Sequence, residues 1–170
     1  MRENCNGEAP PFVKISAGYS HAMFLSEEGK VYTFGAGDIG QLGVGPEATE
    51  FKYPFDVIEL NFGSDRSNLI SAGANYSVCY TDAGILYYWG MLIPDDYDSI
   101  EYLPNFLNIM LPEDSSLDAQ LDFHLTHIAT TFREILACDS QGQVYHCNLN
   151  NSQMLKPYSA DLQRKIGSAH

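Results

Sequence analysis

Apolar residues tend to alternate with polar ones along Lys14–Leu25 and again along Lys30–Phe34. A period of two predicts strands with one buried face. The short segment Glu27-Glu28-Gly29 separates the runs, and its counterparts return as Asp82-Ala83-Gly84 and Ser140-Gln141-Gly142. Each predicts a hairpin turn in which Gly29, Gly84 or Gly142 supplies positive φ. Proline–aromatic pairs follow: Pro54-Phe55, Pro104-Asn105-Phe106 and Pro157-Tyr158. The first two lead into apolar runs, 55–60 and 106–111, that read as further strands. A helical period is confined to a short stretch over 115–123, so the pattern predicts an all-β chain.

The strands repeat. Ile15-Ser16-Ala17-Gly18, His21, Gly29 and Phe34-Gly35 recur as Ile70-Ser71-Ala72-Gly73, Tyr76, Gly84 and Trp89-Gly90, at one constant offset and without a gap. Gly18 and Gly73 fall at strand ends, where a close approach would exclude a Cβ. A weaker third copy runs from Ile128-Ala129 to Gly142 and Cys147. It reads with Thr130 in the glycine place, one extra residue before Gly142, Cys147-Asn148 for the aromatic–glycine pair, and Arg133 near the His21 position. Short-strand repeats of this length predict a propeller-like array. The expected fold is a partial β-propeller of about three four-stranded antiparallel blades, the third frayed at its outer edge. The expected divisions are an extension (1–12), blades 13–62 and 63–111, an acidic connection (112–124), a degenerate blade (125–160) and a tail (161–170).

The first copy continues through Asp38-Ile39 into Gly40-Gln41-Leu42-Gly43. With the Ala-Gly-x-x-His start, this resembles the regulator of chromosome condensation repeat. The resemblance is strong over 13–45, fair over 69–90, where Gly-Gln-Leu-Gly is missing, and weak in the third copy. It implies membership of a family whose propellers close with about seven repeats. Three repeats leave open edges that self-association or further blades would complete. Residues 162–170 resemble the start of a fourth copy, so the chain is expected to be a fragment or short isoform. Family members include exchange factors for small GTPases such as Ran, and propellers attached to ubiquitin ligases, kinases and ciliary proteins. The resemblance thus implies a non-enzymatic protein-interaction module acting through blade-connecting loops, or alternatively a small-GTPase exchange factor or regulator. In the family the histidine at position 21 is mostly a structural residue between blades. The other reading sets His21 and Asp38 on a face that meets a partner.

Charge narrows the partner. The net charge of −13 opposes a nucleic-acid backbone and suits a basic protein surface. Residues 91–124 carry eight acidic groups and no Lys or Arg, in place of the second Gly-Gln-Leu-Gly loop. Asp95, Asp96 and Asp98 are therefore candidates for a docking loop, against a plainly solvated one. A calcium loop would need Asp-x-Asp-x-Asp-Gly spacing and a terminal Glu, which are missing. Cys5, Cys79, Cys138 and Cys147 form no Cys-x-x-Cys pair and read as buried thiols of a reducing compartment. With no signal-peptide pattern and no membrane-length apolar run, the expected location is cytoplasm or nucleus.

Nothing points to catalysis or a cofactor. Residues 35–40 spell Gly-x-Gly-x-x-Gly but lead into further glycines, where a dinucleotide fingerprint needs a helix. His124 and His127, three apart by a strand, would point to opposite faces and could not share a metal. His146 and Cys147 are adjacent and diverge in the same way, so a nucleophile pair is not expected.

Overall fold

The structure is a computed structural model that describes residues 10–47, 58–93, 96–111, 123–150 and 154–158. Twelve strands form three antiparallel blades among these residues. Blade 1 is β1 (Phe12–Ala17), β2 (His21–Ser26), β3 (Val31–Gly35) and β4 (Ile58–Glu59). Blade 2 is β5 (Ser67–Ala72), β6 (Tyr76–Thr81), β7 (Leu86–Met91) and β8 (Ile100–Ile109). Blade 3 is β9 (Leu125–Thr130), β10 (Glu134–Asp139), β11 (Val144–Asn148) and β12 (Met154–Pro157). The fold is a partial β-propeller.

The hairpin turns are built as their sequences require. Gly29, Gly84 and Gly142 have φ of 78°, 79° and 82°. Each donates its N–H to the carbonyl three residues back, of Ser26, Thr81 and Asp139 respectively. At the opposite end of the blades, Gly18 N donates to His21 O, Gly73 N to Tyr76 O and Thr131 N to Glu134 O.

That last bond corrects the reading of the third copy. Thr131, not Thr130, stands in the glycine place, and Glu134, not Arg133, stands in the His21 place. Pairing agrees: His21 lies opposite Gly35, Tyr76 opposite Gly90 and Glu134 opposite Asn148. The offset between copies two and three is the same at Gly73/Thr131 as at Gly84/Gly142, so the hairpin holds no extra residue. The outer strands also begin differently. β8 starts at Ile100, ahead of Pro104, so part of the acidic stretch is strand; β12 ends at Pro157. The 55–57 part of the first outer run, and all but Phe123 of the 115–123 stretch, lie outside the described residues.

Blades pack by facing their sheets. The side of blade 1 toward blade 2 presents Met23, Leu25 and Val31, all buried, to Ile70, Ala72, Cys79 and Trp89. The far side of blade 2 presents Val78, Tyr80 and Leu86, the same positions one repeat on, to Ile135, Ala137, Tyr145 and Cys147. The outer edges of blades 2 and 3 are also joined by main chain. Strand β12 pairs in parallel with β8, Met154 opposite Asn108 and Leu155 opposite Ile109, giving one eight-stranded sheet. Blade 1 remains a separate four-stranded sheet. Isolated bonds such as Tyr19 N to Ala74 O tie it to blade 2.

Candidate protein-interaction face and the lock between blades

A buried polar site lies between blades 1 and 2. Gly40-Gln41-Leu42-Gly43 leaves β3 and turns into blade 2. The Gln41 carbonyl accepts from Trp89 Nε1 at 3.0 Å and from Ser77 Oγ at 3.0 Å. The Gln41 side chain is consumed locally, Oε1 accepting from Ile39 N and Nε2 donating to Asp38 Oδ1. Thr33 Oγ1 donates to Leu42 O at 2.8 Å. A buried indole N–H and a buried carbonyl thus satisfy each other, as burial demands.

His21 belongs to this lock. Its Nε2 lies 2.9 Å from Ser77 Oγ. Ser77 spends its single proton on Gln41 O, so its oxygen accepts from a protonated Nε2. Nε2 of the imidazole therefore carries a proton, while the buried Nδ1 has no hydrogen bond. Burial lowers its pKa to about 4. With 4% of its surface exposed, His21 offers almost nothing to a partner.

Blade 2 makes the next contact with different chemistry. Tyr76, at the His21 position, donates toward the carbonyls of Thr131 at 3.1 Å and Glu134 at 2.8 Å. Serines serve both junctions: Ser16 Oγ accepts from Ala72 N, and Ser71 Oγ pairs with Thr130 Oγ1. These serines and Ser77 escape a motif search. The recurrence of Ser16 as Ser71 in the next repeat is the signal that could have found two of them.

The other candidates lie at one end of the blades. There sit the turns 18–20, 73–75 and 131–133 and the loops leaving β3 and β7. Asp38 is exposed on the first loop, tied to Gln41 but not to His21. Asp96 is half-buried, and its Oδ1 accepts from Asp98 N to cap a single 3-10 turn. Asp98 is exposed, and Asp95 lies outside the described residues. Tyr19 and Tyr97 stand out at this end, 86% and 69% exposed. Phe132 is half exposed, with the Arg133 guanidinium 5.3 Å from its ring centre.

The motif glycines serve the packing. A Cβ on Gly40 would lie 2.8 Å from Glu101 O, and one on Gly90 2.5 Å from Asn75 O. Gly35 faces the Ser20 carbonyl in the same way. Phe34 is part-exposed on the side of blade 1 away from blade 2.

Among the described residues no group of three or more His, Cys, Asp or Glu is placed to hold a metal ion. His146 pairs with Glu134 at 3.4 Å, and Cys147 is buried against blade 2. No helix of the described residues is long and apolar enough to cross a membrane.

Comparison with known proteins agrees with this geometry. A family model of the regulator of chromosome condensation (RCC1) repeat matches residues 28–80, and a second model of that repeat matches 12–41. The human X-linked retinitis pigmentosa GTPase regulator is 34% identical over 105 residues, which are 61% of this chain and 10% of that protein. The chain thus spans about a tenth of that relative. Human WBSCR16 superposes with a TM-score of 0.69 at 16% identity, over 95% of this chain and 41% of that one. Prp20p of Saccharomyces cerevisiae, whose structure is described with its binding to Gsp1p and histones, gives 0.59 at 20% identity, over 81% and 32%. At these identities the two structures speak to the fold alone.

Proposed function

Because the chain belongs to the regulator of chromosome condensation (RCC1) repeat family, we propose that it is a protein-binding module whose partner docks on the loop end of the blades. One observation carries this reading. The buried polar groups between blades are largely spent on holding the blades together, while Tyr19, Tyr97, Asp38 and Asp98 stand exposed at one end. Exposed aromatics beside carboxylates suit a partner with a basic, partly apolar surface. Function then rests on binding, without covalent chemistry.

A second reading makes that partner a small GTPase whose nucleotide state the module regulates. It is favoured by the name of the GTPase-regulator relative. Both readings are tested together by titrating the chain into Ran and related small GTPases loaded with fluorescent GDP. Binding with unchanged nucleotide release supports a docking module. Faster release supports exchange. The absence of both binding and faster release across such a panel removes the GTPase reading. Neutralising Asp38, Asp96 and Asp98 together should weaken capture of a basic partner, most at low salt. Capture unchanged by that triple variant removes the acidic loops from the interface.

A further inference from the structure

One position of the repeat is closed at one blade junction and open at the other. Tyr145 of blade 3 faces blade 2 and is 1% exposed. The Phe123 ring lies 5.6 Å from it, and its hydroxyl donates to Asp139. Tyr87 holds the same position in blade 2, facing blade 1, and is only part-buried. The rims of the two junctions differ accordingly. Strands β8 and β12 are joined by main chain, whereas no ladder joins blade 1 to blade 2 among the described residues.

Three rings stand in a row along the open rim. Phe62 lies 4.8 Å from Tyr87, and Phe106, paired opposite Tyr87 on β8, lies 5.1 Å from it. Phe62 also meets the buried Trp89 at 6.0 Å. The row thus runs outward from the core to Phe106, which is 61% exposed. Tyr87 and Phe106 lie toward the hairpin end of β7 and β8, away from the loops that carry Tyr19 and Tyr97.

Rings alone would take any apolar side chain, but Asp65 adds a charge. It sits on the turn that carries Phe62, its N–H donating to the Phe62 carbonyl. Burial, and after it the Asp65 carboxylate, raises the Tyr87 phenol above its ordinary pKa, so the charge lies beside the row. Among the described residues that carboxylate has no ion pair. The adjacent Arg66 sends its guanidinium to the Glu27 carbonyl instead. An aromatic face attracts a cation. A guanidinium can stack flat on a ring while its fork pairs with a carboxylate, which a compact ammonium cannot do.

We infer that the Phe62–Tyr87–Phe106 row is a second docking site, which takes an arginine side chain of a partner protein with Asp65 as its counter-ion. The aliphatic stem lies along Phe106, and the guanidinium reaches Tyr87 and Asp65. A net charge of −13 favours a partner of that sign. The site is separate from the loop end and does not depend on a partner docking there.

Peptides selected from a random displayed library on the immobilised full chain test this, with affinities of synthetic copies read by fluorescence anisotropy. Selection should return arginine-bearing peptides that bind Phe106→Ala and Asp65→Asn about tenfold more weakly than the wild type. Phe106→Leu, which keeps an apolar surface without a ring, should lose as much. Replacing the peptide arginine by lysine should also weaken binding. The chain neutralised at Asp38, Asp96 and Asp98 should bind these peptides as the wild type does, which separates this site from the loop end. Circular dichroism and Trp89 emission report whether each variant folds, and Phe106→Leu serves if Phe106→Ala does not. A selection that returns no binder overturns the inference, as do binders that lack a basic residue or that lose affinity only in the loop variant. Binding kept by Asp65→Asn or Phe106→Leu overturns it too, and so does self-association of the wild type that Phe106→Ala abolishes, which would put a second copy on the row.

Discussion

Gly43 has no side chain where the indole of Trp89 needs the room. A Cβ at residue 43 would lie 2.9 Å from both Cδ1 and Nε1 of Trp89, and φ there is +72°. A loop of blade 1 and a side chain of blade 2 are thereby fitted as one surface.

Gly43→Ala should therefore loosen the contact between blades 1 and 2, at a cost of about 2 kcal/mol from overpacking and an unfavourable φ. Trp89 is the sole tryptophan and fully buried, so its emission reports this junction directly. The variant should show a red-shifted emission and a lower denaturation midpoint. An unchanged spectrum and midpoint would refute the fit.

The ring of Tyr76 lies over Gly73, where an added Cβ would collide with it, and the His21 ring covers Gly18 likewise. Gly73→Ala should destabilise the wild type. It should cost less when Tyr76→Leu has already removed the ring. A double-mutant cycle should give a coupling of about 1 kcal/mol or more. Strict additivity would mean that the glycine serves something other than the ring.

His21 gives stability a pH dependence with a defined sign. Its folded pKa, about 4, lies below the unfolded value of 6.5, so between these values the unfolded chain holds more protons. The contribution is complete above about pH 6.5 and is lost as pH falls toward 4. A shift of this size is worth on the order of 3 kcal/mol. Urea midpoints measured from pH 7 to 4.5 should fall more steeply for the wild type than for His21→Gln. Parallel curves would show that the imidazole does not titrate in this way.

Burial pushes the Cys79 thiol up to about 12 and the Cys147 thiol up to about 11. Thiolate is the reacting form, so neither should alkylate at neutral pH in the folded chain. Iodoacetamide followed by peptide mass mapping should label both only after denaturation. Rapid labelling of Cys79 in native buffer would contradict its place in the core.

The first two blades were legible in the sequence because their glycines, hairpins and strand alternation recur without a gap. The third was misaligned by one residue, and the structure shows why. Thr131 can replace glycine because Glu134, three residues on, sends its carboxylate to Asn148 and His146 and lays no ring over residue 131. Once the covering ring is lost, the glycine that marks the motif is lost with it. The lock residues were only half legible. Gln41 stood in the motif, but the atom that matters between blades is its main-chain carbonyl, which no residue type announces. The pairing of β12 with β8 was not legible at all, since a two-residue parallel contact leaves no periodicity.

That pairing divides the chain in time as well as in space. Blades 2 and 3 share one continuous ladder, so their amides should be freed by a common opening and exchange with solvent as one unit. Blade 1 leans on them mainly through side chains and scattered bonds, and can open while the rest stays shut. The lock around Trp89 then acts as the clasp on blade 1, and how long it holds sets how long blade 1 keeps its place.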